Sequence, residues 1–178
     1  PEIIRLYEEG FPVMLMGQLP GSEVPFVDVD ASAGAEAATN HLLERGRRRI
    51  AIITNAPLTY TSARQRRDGY LHALTSAGIE YDDTLLQEGN FTPESGYQAM
   101  MALLSNGSHP DAVFVASDVV AKGAMLAIKR SGLRIPEDLA IVGFDDIPLA
   151  EYFDPPLTTF HLPAYGLGWA AGDRLIRL

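Results

Sequence analysis

The sequence predicts an α/β fold built from doubly wound parallel sheets. Apolar runs of strand length alternate with segments of helical periodicity along almost all of its 178 residues. Several runs, such as IAII at 50–53 and AVFV at 112–115, are apolar at every position. Strands of this kind are typical of a parallel sheet covered by helices on both faces. The alternating order of strands and helices then predicts the doubly wound class.

The predicted elements follow one another in a regular order. The periodicity predicts strands at 13–16, 26–29, 50–53, 85–88, 112–115, 140–142 and 158–160, and helices at 33–45, 63–77, 93–105, 119–131 and from 165 onward. The opening residues, PEIIRLYEEG, look like the last turns of a helix already under way, so we expect a fragment of a longer protein.

Local signals mark three helix ends. Ser62 and Gln65 have the spacing of a capping box at the start of one helix. Thr92 followed by Pro93 predicts an N-cap with proline at the first helical position. Gly132, preceded by basic residues, is typical of a helix C-terminus. No repeat or flexible linker is visible, so we expect any lobe boundary to be a strand crossing, near 28–30 and again near 160–162.

Composition excludes several functional classes. The chain has no cysteine, which excludes disulfides, thiolate catalysis and cysteine zinc sites. Its net charge of −9 argues against a nucleic-acid surface of its own. No apolar run approaches the ~20 residues of a membrane span, and no membrane partner is expected.

Polar and aromatic side chains collect where the predicted strands end. Ligands of open α/β sheets bind outside the carboxyl ends of the strands, so these residues are candidates for a site. In chain order they are Thr54, Asn55, Tyr60, Ser62, Phe91, Ser117, Asp118, Phe144, Asp145 and Asp146.

Arg66 is the one charged residue on the apolar stripe of its helix, which continues through Tyr70, Leu74 and Ala77. A buried guanidinium needs a partner, because an unpaired one costs several kcal/mol. That partner is either Asp145 or a polar ligand. Acid, guanidinium, hydroxyls and a flat ring such as Phe91 suit a sugar or related polyol. The alternative is that Arg66 and Asp145 only join two elements and that Phe91 is a core residue.

Catalytic and cofactor motifs are missing or incomplete. No nucleophile elbow, P-loop or HExxH motif occurs. GLGWAAG at 166–172 is one residue too long for a dinucleotide fingerprint, and the four histidines have no metal-ligand spacing. Asp145 and Asp146 are chain neighbours whose side chains should diverge, so they do not form a catalytic dyad. We therefore predict no catalytic residue, no metal site and no cofactor.

Four segments together carry a family resemblance. VDVDASAGAEAATNHLLERGRRRIAIIT, SARQRRDGY, GNFTPESGYQAM and AVFVASDVVAKGAMLAIKRSGLRIPEDLAIVGFDDIPLAEYFDPPLTTFHLP resemble, in order, the effector-binding core of the lactose/galactose repressor family. Residues 135–159 are the most specific part. The resemblance implies a periplasmic-binding-protein-like type I fold, with two lobes joined by crossover strands. Residues 1–29 would end the amino-terminal lobe, 30–160 form the carboxyl-terminal lobe, and 161–178 return to the first.

The resemblance also implies site residues and a partner copy. By position, Arg66, Phe91, Ser117 and Asp145 match the family's effector contacts, with Tyr60 and Ser62 as neighbours. The family often has asparagine where Ser117 stands, so the identity of the effector does not carry over. The family forms homodimers through the carboxyl-terminal lobe. The matching segments contain side chains that suit an interface core or an ordinary core, namely Tyr97, Met100, Met125, Tyr152 and Phe153.

The function implied is that of the sensing domain of a cytoplasmic transcriptional regulator, most often a repressor. A small effector in the cleft between the lobes would favour one lobe arrangement and so alter operator binding by a helix-turn-helix headpiece absent from this chain. Two alternatives remain at this point. One is a free-standing periplasmic sugar receptor of a transporter, and the other is a Rossmann-like enzyme.

Overall fold

The computed structural model describes residues 2–177, which form two compact units. The two ends of the chain, up to Asp30 and from Leu162, make the first unit, and Ala31–His161 make the second. The predicted boundaries, at 29/30 and 160/161, each differ from these by one residue. The assignment of the units to the lobes of a longer protein stays a prediction.

Helices and strands alternate along the chain. The helices are α1 Glu2–Glu8, α2 Ala31–Glu44, α3 Thr61–Ser76, α4 Pro93–Ser105, α5 Asp118–Arg130 and α6 Ala164–Ile176. The strands are β1 Leu15–Met16, β2 Phe26–Val27, β3 Ile50–Ile53, β4 Leu86–Gln87, β5 Ala112–Val115, β6 Ala140–Asp145 and β7 Thr159–His161. The bounds predicted for β3, β5 and α4 are confirmed. The largest difference is β6, which continues to Asp145 because its last residues pair with β7.

The first unit contains a small sheet in which β1 and β2 pair in parallel, with Leu15 opposite Phe26. Helix α6 packs against both strands. Of the helices within residues 2–177, none is long and apolar enough to cross a membrane.

The second unit contains a five-stranded parallel sheet in the order β4-β3-β5-β6-β7. Alternate residues of a strand point to opposite faces, and every residue of β3 and β5 is buried, so the middle of this sheet is covered on both faces. Ile53 and Val115 join the core under α4 and α5. On the other face, Tyr70 of α3 donates a hydrogen bond to the Ile50 carbonyl at 2.7 Å. The predicted α/β class with parallel sheets covered by helices is therefore confirmed.

The helix-end predictions had different outcomes. Thr92 caps α4 by accepting a hydrogen bond from the Ser95 N–H at 3.2 Å, as predicted. The capping box at Ser62 and Gln65 is wrong. Helix α3 already begins at Thr61, so Ser62 lies inside its first turn and accepts a hydrogen bond from Asn55 instead.

Candidate ligand-binding site

Three predicted residues meet at the carboxyl end of the larger sheet. Asp145 is the last residue of β6, Ser117 follows the neighbouring strand β5, and Arg66 lies on α3. Arg66 Nη2 lies 3.3 Å from Asp145 Oδ1, and Ser117 Oγ donates a hydrogen bond to Asp145 Oδ2 at 3.0 Å. The predicted pairing of Arg66 with Asp145 is therefore present.

The Arg66 side chain is held on several sides. The residue is only 7% exposed, and Nη1 donates to the Ala116 carbonyl at 2.5 Å. Its guanidinium carbon lies 4.0 Å from the centre of the Phe144 ring, a cation–π contact. Phe144 in turn stacks on Phe160 of β7 at 5.0 Å between ring centres. Arg66 thus presents its charge to Asp145 in a fixed direction.

The backbone at Asp145 and Asp146 is unusual. Their φ angles are +117° and +57°, in a region that residues with a side chain rarely adopt. Such strain persists only where the surroundings impose it, and it is common at ligand sites. Burial raises the pKa of the Asp145 carboxyl above its usual 3.8, while Arg66 and Ser117 act in the opposite direction.

The side chains of the two acids have different partners. The Asp146 carboxylate lies 2.9 Å from Nδ1 of His161, at the end of β7, and not against Asp145. The Asp146 side chain thus contacts the neighbouring strand β7.

A second group of predicted residues surrounds Phe91. The Phe91 and Tyr60 rings meet edge to face with 5.2 Å between their centres, and the residues are 49% and 51% exposed. Phe91 is therefore not a core residue. The Phe91 N–H donates to the Asn55 carbonyl at 2.8 Å, and Asn55 Nδ2 donates to Ser62 Oγ at 3.2 Å. Since Ser62 and Arg66 are four residues apart on α3, the two groups share one helix face.

One residue that organises the site, Asp118, was not assigned a role from the sequence. Asp118, the first residue of α5, has no exposed area and accepts hydrogen bonds from the Ile147 N–H at 3.0 Å and the Thr159 hydroxyl at 2.7 Å. Burial raises the pKa of its carboxyl, and the nearby charge of Asp145 raises it further. The position of Asp118 directly after a strand was visible in the sequence. Its partners were not, because they depend on how β6 and β7 pair.

The predicted interface residues fall into two sets. Met100 has no exposed area and lies in the hydrophobic core, so its assignment to an interface is wrong. Met125 is 4% exposed and belongs to the same core. Tyr97 and Phe153 pack partly buried against that core, whereas Tyr152 is 76% exposed. The sequence could not assign the two methionines, because apolar residues occur both in protein cores and in interfaces.

The site offers hydrogen-bonding groups and rings. Among residues 2–177, no group of three or more His, Asp or Glu side chains is arranged to hold a metal ion. A carboxylate, a guanidinium and a hydroxyl lie together, with two half-exposed rings on the same side of α3. Such a set can hydrogen-bond the hydroxyls of a ligand and cover an apolar face of it.

Comparison with known proteins identifies the family of this α/β chain. The family model described as a periplasmic binding protein-like domain matches residues 39–178. The transcriptional regulator CelR of Thermobifida fusca is 42% identical over 166 residues, which cover 92% of this chain and 48% of CelR. The transcriptional repressor CytR of Escherichia coli K12 is 42% identical over 163 residues, covering 90% of this chain and 48% of CytR.

Solved structures agree with the sequence relatives. The structure of a CelR–cellobiose complex has a TM-score of 0.90 and 40% identity, covering 96% of this chain and 53% of that one. A LacI-family regulatory protein from Chloroflexus aggregans has a TM-score of 0.90 and 34% identity, covering 99% of this chain and 63% of that one.

The chain belongs to the periplasmic binding protein-like domain family, in the form found as the effector-binding domain of LacI-family regulators. It spans about half the length of the curated relatives it matches. These relatives are transcriptional regulators, which favours neither a free-standing receptor nor an enzyme.

Proposed function

We propose that this chain is the effector-sensing domain of a cytoplasmic transcriptional repressor and that its effector is a sugar or related polyol. The observation that carries the proposal is the partly buried Arg66–Asp145 pair, held at 3.3 Å beside Ser117 at the carboxyl edge of the sheet. Asp145 accepts hydrogen bonds from ligand hydroxyls, and Arg66 donates to them. Phe91 and Tyr60 cover an apolar face of the ring.

The charges of the site support a neutral ligand. Asp118 and Asp145 lie close enough for the charge of Asp145 to raise the pKa of Asp118, and Arg66 is the cation paired with Asp145. A ligand with a negative group would be repelled by the carboxylates. The solved complex of the related CelR contains cellobiose, a neutral sugar, which makes cellobiose the first ligand to test here.

Regulation follows from differential binding. A ligand shifts a conformational equilibrium only by its difference in affinity for the two states. Operator DNA would be bound by a headpiece outside these 178 residues, since the net charge of −9 provides no basic surface for DNA. The effector would change operator affinity by favouring one conformation of the longer protein.

A thermal-shift screen of cellobiose, other neutral sugars and sugar phosphates tests the proposal. A ligand at ~100 times its dissociation constant should raise the free energy of unfolding by about 2.7 kcal/mol. The shift should disappear in Asp145→Ala and in Arg66→Ala. A matched control is Asp68→Ala, which removes an exposed carboxylate paired with Arg67 and should keep the full shift. A neutral sugar that stabilises all variants equally would contradict the proposed site.

We also propose that the second unit associates with another copy of itself. A groove of about 360 Å³ is lined mainly by apolar side chains, and three of them, Leu126, Leu149 and Tyr152, are exposed. Exposed apolar patches rimmed by polar groups are typical of interaction surfaces. Lys122, Lys129 and Asp154 give the lining both signs of charge, which suits a two-fold contact between identical surfaces.

A further inference from the structure

Asp118 lies beneath the candidate site without reaching its surface. Asp118 has no exposed area, so a ligand cannot touch it. Its two carboxylate oxygens have separate partners: Oδ2 accepts from the Ile147 N–H at 3.0 Å, and Oδ1 accepts from Thr159 Oγ1 at 2.7 Å. One side chain thus joins the start of α5 to the segment after β6 and to the start of β7.

The segment that Asp118 holds is the strained turn of the site. Asp145 and Asp146 have φ angles of +117° and +57°, and Ile147 comes directly after them. The Asp146 N–H faces Thr159 Oγ1 at 3.4 Å, and Thr159 is itself bound to Asp118. On the other side, the Asp118 backbone N–H donates to the Asp145 carboxylate. Asp118 therefore contacts the turn at both ends.

We propose that Asp118 is a positioning residue that acts through Asp145. Its carboxylate holds the turn in the left-handed conformation, which keeps the Asp145 carboxylate within reach of Ser117 and Arg66. Without this support the turn would relax, since two successive residues with side chains are unfavourable at positive φ. Its effect on ligand affinity rests on the proposed function, but its effect on the turn does not.

The exchange of backbone N–H groups in the ligand-free 178-residue chain tests the positioning directly. Asp118→Ala removes both carboxylate oxygens, so the Ile147 N–H and the Thr159 hydroxyl both lose their acceptor. We expect Ile147 to exchange about tenfold faster or more, because a buried donor without a partner is costly. The central strands, followed at Ile52 and Phe114, should keep their protection.

Substitutions of Thr159 distinguish a specific role of Asp118 at the turn from a general contribution of Asp118 to the stability of the second unit. Thr159→Val removes the hydroxyl that joins Asp118 to Asp146, and should speed exchange at Asp146. Thr159→Ser retains the hydroxyl and should restore the slow rate. Unchanged exchange at Asp146 and Ile147 in Asp118→Ala and Thr159→Val would overturn the proposal. So would an equal loss of protection at Ile52, which would mean that Asp118 supports the whole unit.

Titration with cellobiose by calorimetry then tests the consequence for binding. We expect Asp118→Ala to weaken cellobiose binding about tenfold or more, although residue 118 cannot contact the sugar. Full affinity in a variant whose turn exchanges faster would overturn the link to the ligand. If cellobiose fails to bind the unmodified chain, the choice of ligand class is wrong, and the exchange rates still decide whether Asp118 positions the turn.

Discussion

Gly143 and Asp118 approach so closely that no side chain fits between them. A Cβ added at Gly143 would lie 2.2 Å from Asp118 Oδ1 and 2.8 Å from the Leu157 side chain. Gly143 lies in β6, two residues before Asp145, and pairs with Thr159 of β7. The missing side chain at 143 is therefore what lets the buried carboxylate reach the turn that carries Asp145.

Gly143→Ala should destabilise the second unit. The new methyl group must displace either the Asp118 carboxylate or β7, and overpacking of this kind costs about 1–3 kcal/mol. Urea denaturation followed by circular dichroism measures the change. Gly168→Ala is the matched control, since nothing lies within 4 Å of a Cβ at that position of α6. It should gain about 0.5–1 kcal/mol, as expected for alanine replacing glycine in a helix. Equal effects of the two substitutions would contradict the close approach at Gly143.

Arg66→Met should be costly and should change the titration of its partner. It leaves the Asp145 carboxylate partly buried without its cation, and breaking such a pair costs about 3 kcal/mol. Since Arg66 lowers the pKa of Asp145, its loss should raise that pKa further, as measured by ¹³C NMR of the carboxyl carbon. Arg67→Met, on the same helix, breaks a pair with the exposed Asp68 and should cost about 0–1 kcal/mol. If the pKa of Asp145 is unchanged in Arg66→Met, the pair does not persist in solution.

Asp118 and Asp138 should give opposite dependences of stability on pH. Burial raises the folded-state pKa of Asp118 above 3.8, so its contribution is full below that pH and is lost as pH rises through the folded value. The hydrogen bonds that Asp138 forms with Arg134 lower its pKa to about 2. The contribution of Asp138 is therefore present above pH 3.8 and lost as pH falls towards 2.

Urea denaturation across acidic and neutral pH measures both effects. As pH rises from the acidic range, the chain should lose stability relative to Asp118→Asn and gain stability relative to Asp138→Asn. Slopes of the same sign for the two variants would contradict the assignment. An Asp118 that is costly when ionised is consistent with a role in the site, where stability is lost in return for a fixed geometry.

Tyr152→Ser should weaken self-association of the chain. Tyr152 is the most exposed of the apolar side chains around the groove, and aromatic residues are enriched in interface cores. Sedimentation velocity over a range of concentrations would show a shift towards monomer. Tyr81→Ser is the control, because Tyr81 is also exposed but lies outside the groove. A sedimentation profile that is the same for both variants and the unmodified chain would place the contact elsewhere.

Local patterns were sufficient for the elements and for the outline of the site. The bounds of β3, β5 and α4 followed from apolar runs and from the Thr92 cap, all of which act within a few residues. The pairing of Arg66 with Asp145 followed from one charged residue on an apolar helix stripe. The capping box predicted at Ser62 and Gln65 is wrong because the helix starts one residue earlier, at Thr61. Ser62 therefore lies inside the helix, where its hydroxyl accepts a hydrogen bond from Asn55.

By itself the sequence determined the α/β class, the residues at the strand ends and the need of Arg66 for a partner, since each depends on neighbours in the chain. Only the tertiary structure decided that Phe91 faces outward, that Met100 is core and that Asp118 holds the Asp145 turn. The last of these outcomes depends on the order and register of β5, β6 and β7. Asp118 and Thr159 are 41 residues apart, and only strand pairing brings them within 2.7 Å.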